Sequence, residues 1–186
     1  MNRINPPAQF LVDSLPALPK GRVLDAAAGS GRNALFFAEH GFVVHAIDRN
    51  PEALLMLQSA VRERRLLHMT TEVVDLETER AGEALLPSEV YDVVVVFFYL
   101  YRPLFPALLQ TLKPGGMLLY ETFLVENYLH YQRPKQREFC LETHELLTLT
   151  QGLQVLHYDE GVRRGKDGQA GRFTARLLAQ KGQPEQ

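Results

Sequence analysis

The chain alternates between short apolar runs and longer amphipathic stretches. Two short, mainly apolar runs, RVLDAA and FVVHAI, are each followed by a stretch of helix length, RNALFFAEHG and PEALLMLQSAVRERRL. Gly41 suits the left-handed cap that ends the first helix. Asn50 suits the cap that begins the second, with Pro51 in its first turn. The pattern over residues 22–66 therefore predicts strand, helix, strand and helix.

The same alternation continues beyond this unit. TTEVV predicts a third strand ending at Asp75, and the acidic stretch from Glu77 to Leu86 predicts a short exposed helix. The nearly continuous apolar run YDVVVVFFYL is typical of a strand buried on both faces. RPLFPALLQTL predicts a helix that KPGG ends, and MLLYETF predicts a fifth strand.

The end of the chain departs from this order. LETHELLTLTQG predicts a helix, and LQVLHYDEG and RFTARLLAQK predict two strands joined by VRRGKDGQAG. That connection is too short for a crossover helix, so the two strands should be antiparallel. We therefore expect an α/β fold, a Rossmann-like three-layer sandwich. Its seven-stranded sheet should be mostly parallel, with a C-terminal antiparallel hairpin.

Composition limits the domain organisation and the partners. The 186 residues are 46% hydrophobic, which indicates a globular protein. Residues 1–21 are expected to form an N-terminal arm or short helix, with AQFLVDSL as the helical part, and residues 22–186 a single domain. The net charge of −2 gives no indication of a nucleic-acid partner. No apolar run reaches the roughly 18 residues of a membrane helix, so no membrane partner is expected.

Cysteine and histidine usage indicates no metal and no disulfide framework. Cys140 is the one cysteine, and the six histidines show no metal-ligand spacing. A reducing cytoplasm is the expected location. The sequence leaves the oligomeric state open.

Three aspartates follow successive predicted strands. Asp25 ends the first, Asp48 the second and Asp75 the third. Open parallel sheets bind ligands beyond the carboxyl ends of their strands, so the three side chains should lie near one another. Asp48 is placed to accept hydrogen bonds from ribose hydroxyls, and Asp75 from an adenine amino group. The pattern predicts a nucleoside pocket.

The turn after the first strand supports a cofactor with a ribose. Gly29 and Gly31 let a ligand approach the backbone, and the helix that begins near Arg32 favours an anionic group at its N-terminus. GSGRNA also satisfies the loose dinucleotide fingerprint, which keeps NAD as an alternative. Against NAD, the Asp25 carboxylate would repel a pyrophosphate and attract an ammonium. The chain is also short for a second, substrate-binding domain.

These motifs resemble those of the class I S-adenosylmethionine-dependent methyltransferases. VLDAAAGSG is similar to their first motif, Asp48 to their ribose-binding acid, and VVDLE, with Asp75 and Leu76, to their adenine-side motif. YDVVVVFFYLY and LKPGGMLLYETF are similar to the passages around their fourth and fifth strands. The resemblance covers about residues 20–180. It departs at Ala27, where the family usually has a glycine.

Within that superfamily, GRNA and DRNP resemble most closely the tellurite-resistance and related small-molecule methyltransferases. This resemblance implies that Arg32 and Asn33 line the cofactor or substrate mouth. It also implies small acceptors, often oxyanions or soft chalcogen nucleophiles. The residues expected to bind S-adenosyl-L-methionine are Asp25, Ala27, Gly29, Gly31, Arg32, Asn33, Asp48, Arg49, Asp75, Leu76 and Phe97.

The acceptor is expected above the ends of the fourth and fifth strands. Candidate residues there are Tyr99, Tyr101, Arg102 and Glu121. Arg102 either orients an anionic acceptor or caps the following helix, and Glu121 is either a base or a buried acid paired with an arginine. Residues 124–140 lack clear periodicity and form either a mobile lid over the acceptor or a solvated basic loop.

The sequence therefore predicts an enzyme that transfers a methyl group from S-adenosylmethionine to a small-molecule acceptor by in-line displacement. Such a reaction depends mainly on alignment of the reacting atoms. The alternatives are a nicotinamide-dependent reductase and a non-catalytic protein that binds S-adenosylmethionine or its demethylated product.

Overall fold

The computed structural model describes residues 4–78, 86–163 and 171–183, which form one mixed β-sheet with helices on both faces. The strands are β1 (Arg22–Ala26), β2 (Val43–Asp48), β3 (Met69–Val73), β4 (Tyr91–Phe97), β5 (Leu112–Phe123), β6 (Leu153–Arg163) and β7 (Arg172–Lys181). The α-helices are α1 (Gln9–Ser14), α2 (Arg32–Glu39), α3 (Pro51–Arg64), α4 (Phe105–Thr111), α5 (Val125–Tyr131) and α6 (Glu145–Leu149). Short 3₁₀ turns span Leu15–Ala17, Arg102–Leu104 and Arg137–Phe139.

The sheet has the predicted number of strands and the predicted strand directions. Its seven strands, all within the described ranges, are ordered β3-β2-β1-β4-β5-β7-β6. The first five are parallel, and β7 is antiparallel to both β5 and β6. The predicted α/β fold with a C-terminal antiparallel hairpin is confirmed.

Two hydrophobic cores cover the two faces of the sheet. Val23 and Val93 contribute to the core under α1, α2 and α3, whereas the next residues along their strands, Leu24 and Val94, contribute to the core under α4 and α6. Successive side chains of a strand point to opposite faces, so the unbroken apolar run of β4 serves both cores at once.

Local sequence explains where α2 and α3 begin and end. The Asn50 side chain accepts hydrogen bonds from the N–H groups of Glu52 and Ala53, at 3.0 and 3.2 Å, and so begins α3. Gly41, with φ 80°, follows the end of α2 as predicted. At the start of α2, Gly31 has φ 78° and no side chain caps the helix. The N–H of Ala34 in the first turn is directed at the Asp25 carboxyl, and the N–H groups of Arg32 and Asn33 have no partner within the helix.

The structure corrects several predicted boundaries. β5 begins at Leu112, which pairs with Tyr91, so KPGG lies in a bulged part of the strand and does not end a helix. The strand preceding Asp75 ends at Val73. The helix predicted in the acidic stretch falls mostly on residues 79–85, outside the described residues. Over Val125–Tyr131 the alternative of a solvated loop is wrong, because these residues form a helix in which Val125 and Asn127 are buried.

The N-terminal helix α1 joins the same core as α2 and α3. Phe10 and Leu11 are buried, and the N–H of Ala8 donates to Asn33 Oδ1 at 3.0 Å. Within the described ranges, no helix combines the length and the apolar character that crossing a membrane requires.

Two glycines in left-handed backbone should respond differently to alanine. A Cβ at Gly31 would lie 2.3 Å from the buried Leu57 side chain, whereas a Cβ at Gly29 would meet no atom within 4 Å. We expect Gly31→Ala to lower the free energy of unfolding by about 2–4 kcal/mol and Gly29→Ala by about 1 kcal/mol, since both strain the backbone but only the first overpacks the core. Urea titration followed by circular dichroism measures both free energies of unfolding. Equal losses in the two variants would contradict the close packing of Gly31 against Leu57.

Candidate functional site

A cavity of about 240 Å³ opens where the parallel strands end. Each of the five parallel strands contributes a residue at or just after its carboxyl end, which is where open α/β sheets bind ligands. The lining consists of Ala27, Asp48, Arg49, Val74, Leu76, Glu77, Phe98, Tyr99, Leu100, Phe123, Pro134 and Phe139.

The Asp48 carboxylate is fixed by backbone donors on both oxygens. Gly29 N–H donates to Oδ2 at 2.7 Å, and Asn50 N–H donates to Oδ1 at 2.8 Å. The end of β2 and the turn after β1 are thereby held together. Each carboxylate oxygen can accept more than one hydrogen bond, so Asp48 keeps acceptor capacity for hydroxyl groups of a ligand.

Asp25 is a buried carboxyl with an unused oxygen. It is 1% exposed, and its Oδ2 has no hydrogen-bond partner among the described residues. Burial raises the pKa of Asp25 from 3.8 to about 7; the N–H of Ala34 and the Arg32 guanidinium partly oppose this effect, and the Asp48 carboxylate adds to it. An unpartnered buried polar atom is costly. A cationic donor such as an ammonium would satisfy it.

Gly29 and Gly31, the two glycines of the turn, have different surroundings. Gly29 faces open space, so a ligand can approach its backbone, whereas Gly31 lies against Leu57 of α3. Ala27 takes a left-handed φ of 58° and lines the cavity. The methyl group at the position of the usual glycine is therefore accommodated, at the cost of a strained backbone.

Asp75 lies beside the cavity but is not part of its lining. Its side chain is exposed, and its Oδ1 accepts the N–H of Glu77 at 2.9 Å, which shapes the turn after β3. Arg49 and Leu76 line the cavity as predicted, and Arg49 pairs with Glu77 at 3.2 Å. Glu77 was missed because it begins the acidic stretch that suggests a solvated helix.

Several residues predicted to bind the cofactor are not part of the cavity lining, namely Asp25, Gly29, Gly31, Arg32, Asn33 and Phe97. Asn33 is 4% exposed and binds Ala8 of the N-terminal segment. Phe97 is 8% exposed and belongs to the core under α1 to α3. Phe98, with φ 58°, lines the cavity in its place. The alternation of side chains along β4 sends Phe97 to the covered face.

Of the two tyrosine candidates, only Tyr99 lines the cavity. Its hydroxyl is buried and has no hydrogen-bond partner among the described residues. Burial, reinforced by the nearby Glu77 carboxylate, raises the pKa of Tyr99, so the hydroxyl stays protonated and can donate. Tyr101 instead packs against the core under α4 and α6.

The side chains of Arg102 and Glu121 make hydrogen bonds to other residues of the chain. Arg102 donates to both carboxylate oxygens of Glu145 and to two backbone carbonyls, so it neither orients an acceptor nor caps the helix. Glu121 is 8% exposed and accepts from Thr174 Oγ1 at 3.2 Å. Burial raises the pKa of Glu121, and the guanidinium of Arg176 opposes that rise. Glu121 is thus the expected buried acid, but its hydrogen-bond partner is Thr174, and Arg176 acts on it through its charge alone.

One cationic feature was not predicted. The guanidinium groups of Arg32 and Arg172 lie 5.4 and 5.5 Å from the centre of the Phe98 ring. Burial and the neighbouring charge of Arg172 lower the pKa of Arg32. The position of Arg172 follows from the pairing of β7 with β5. Thr174 lies opposite Phe123 at the end of β5, so Arg172 lies at the edge of the sheet where the cavity opens.

No group of three or more metal-ligating side chains occurs in the part of the chain that the structure describes.

The raised pKa of Asp25 makes stability depend on pH. Because the folded protein binds this proton more tightly than the unfolded chain does, the free energy of unfolding should fall as the pH rises from about 4 to about 7 and level off above. The full effect is about 4 kcal/mol, since one pKa unit is worth about 1.4 kcal/mol. Urea unfolding of wild type and Asp25→Asn across this range measures it. A wild-type slope that survives in Asp25→Asn would exclude Asp25 as its source.

Comparison with known proteins assigns the family. The family model described as tellurite resistance protein TehB matches residues 8–177. A probable S-adenosyl-L-methionine-dependent methyltransferase TehB from Haemophilus influenzae is 27% identical over 106 residues, which cover 55% of this chain and 35% of the relative. The match thus spans about a third of that relative's length.

Solved structures share the fold. TehB from Haemophilus influenzae superposes with a TM-score of 0.77 at 21% identity, over 97% of this chain and 63% of that one. An S-adenosylmethionine-dependent methyltransferase from Methanosarcina mazei gives 0.72 at 19% identity, over 96% and 100%. Because the family model extends from the N-terminal helix into the last strand, the chain belongs to the tellurite resistance protein TehB family.

Proposed function

We propose that this chain transfers a methyl group from S-adenosylmethionine to a small-molecule acceptor by in-line displacement. The observation that carries the proposal is the unsatisfied oxygen of Asp25, buried beside the fixed carboxylate of Asp48 and the open space at Gly29. Family membership supports it, because curated relatives are described as probable S-adenosyl-L-methionine-dependent methyltransferases.

The residues present fit this cofactor group by group. The Asp25 carboxyl suits its ammonium, and the first N–H groups of α2, where Gly31 offers no capping side chain, suit its carboxylate. Asp48 suits the ribose hydroxyls, and the apolar side chains of Val74 and Leu76 suit the adenine. A pyrophosphate fits less well, because it would lie among the carboxylates of Asp25, Asp48 and Glu77.

The bound cofactor would supply a methyl group already activated on a sulfonium. The chain's own contribution is alignment, which can supply about 7–11 kcal/mol of the barrier. Phe98, Tyr99 and Phe123 give the cavity an aromatic wall that can pack near a sulfonium. Arg32 and Arg172 place positive charge beside Phe98, which favours an anionic acceptor. Such an acceptor needs no general base.

Binding and transfer are tested together. In calorimetry, S-adenosylmethionine and S-adenosylhomocysteine should bind, and NADH should not. Radiolabelled S-adenosylmethionine should then label at least one member of a panel of thiols, chalcogen oxyanions, carboxylates and amines. Binding of NADH without response to either sulfur compound would favour a reductase. Cofactor binding without labelling of any acceptor would favour a non-catalytic binder.

Two aspartates at neighbouring strand ends provide a matched pair of variants. Asp48→Ala should weaken binding of S-adenosylhomocysteine by about 2–4 kcal/mol, or roughly 30-fold to 1,000-fold, because two charge-assisted hydrogen bonds are lost. Asp75→Ala should change the Kd less than about threefold, since Asp75 lies outside the cavity lining. Calorimetry measures both constants. Similar losses in the two variants would remove Asp48 from its proposed role.

A further inference from the structure

The chain between β5 and α6 forms a loop that is closed at its base. A β-bridge joins Leu124 and Leu141, with Leu141 N–H donating to the Phe123 carbonyl at 2.8 Å and Val125 N–H donating to the Leu141 carbonyl at 2.9 Å. The loop begins with α5 and returns through residues 132–141, here called the 132–141 segment. Pro134 and Phe139 of this segment line the cavity.

The 132–141 segment has few attachments to the rest of the protein. Asn127 of α5 donates to the Arg133 carbonyl at 2.5 Å and so fixes one end. Among the described residues, no hydrogen bond from outside the segment reaches its backbone between Arg133 and Glu138. Phe139 lines the cavity although it is 39% exposed, so burial alone holds it weakly.

The other end is held by the guanidinium of Arg102. Nη1 donates to the Glu138 carbonyl at 2.7 Å, and Nη2 donates to the Cys140 carbonyl at 3.0 Å. Nε and Nη2 also donate to the two carboxylate oxygens of Glu145, at 2.5 and 2.9 Å. These bonds to Glu145 raise the pKa of Arg102, so the pair stays ionised. The planar guanidinium presents donors in a fixed geometry that a lysine cannot reproduce.

Arg102 thereby connects two walls of the cavity. It begins the 3₁₀ turn just after the residues that follow β4, and Phe98, Tyr99 and Leu100 of that passage line the cavity. Its donors reach the carbonyls on either side of Phe139. The backbone bridge at Leu141 holds the base of the segment, and Arg102 adds the side-chain contact that joins the passage after β4 to the carbonyls on either side of Phe139.

We propose that Arg102 is a positioning residue that holds Phe139 and Pro134 against the aromatic wall and so sets acceptor affinity. This inference rests on the proposed function, because it treats the aromatic part of the cavity as the acceptor site. Arg102 touches no residue of the Asp25 and Asp48 group, so its loss should spare cofactor binding. A misplacement of about 1 Å in such a wall is enough to reduce alignment of the reacting atoms.

The chain carries its own reporter for this contact. Cys140 is the one cysteine, is 2% exposed, and gives its carbonyl to Arg102. Burial raises the pKa of its thiol, so iodoacetamide should react slowly in the wild type. Arg102→Met should speed alkylation, measured by intact mass, by about tenfold or more, because the segment opens more often. The alkylation rate of Arg102→Lys should lie between those of wild type and Arg102→Met.

Arg137→Met is the matched control. It removes an exposed ion pair between Arg137 and Glu142, at 2.6 Å, and leaves the hydrogen bonds of Arg102 in place. Alkylation of Cys140 in this variant should stay within about twofold of wild type, since exposed ion pairs contribute little. Should Arg102→Met fail to fold, Arg102→Lys and Glu145→Gln provide the same comparison with smaller changes.

Kinetics separate positioning from general damage. With the most active acceptor from the panel above, Arg102→Met should raise the acceptor KM by about tenfold while the Kd for S-adenosylhomocysteine stays within about twofold. Unchanged alkylation and unchanged KM in Arg102→Met would overturn the proposed role. If wild type transfers no methyl group but alkylation of Arg102→Met is still faster, the proposed function fails and the link between Arg102 and the segment stands.

Discussion

The hydrogen bond from the Gly29 N–H to Asp48 Oδ2 is the contact on which the rest of the site depends. It joins the turn after β1 to the end of β2 and thereby fixes the direction of the Asp48 carboxylate. At 2.7 Å it is a short, direct contact between the two elements. Because Gly31 also holds α2 against α3, the same short turn sets both the packing of one face and the opening of the cavity.

Asp25 shows how this arrangement trades stability for binding. A carboxyl at 1% exposure with an unused oxygen destabilises the free protein whenever it is ionised. An apolar residue at this place in β1 would pack without that cost. A cationic ligand group beside the unused oxygen would offset that cost, and the proposed cofactor carries such a group in its ammonium.

Periodic pattern and local motif predicted most of the fold and the cofactor side of the site. The parallel strands and the hairpin follow from strand spacing, whereas the order of the strands in the sheet comes from the structure alone. The Asn50 cap and the position of Asp48 follow from short motifs. Phe97 could not be placed correctly, because the left-handed φ of Phe98 decides which aromatic faces the cavity. Glu77 and Arg172 reach the site through a turn and through strand pairing, which residue type alone does not reveal.

The acceptor side differs from the cofactor side in the range of its contacts. Asp48 is fixed by neighbours 2 and 19 residues away, whereas Arg102 reaches carbonyls 36 and 38 residues away and a carboxylate 43 residues away. Contacts of the first kind leave a motif in the sequence, and those of the second kind leave none. An arginine after β4 therefore suggests an anion site until the carbonyls that occupy it are seen.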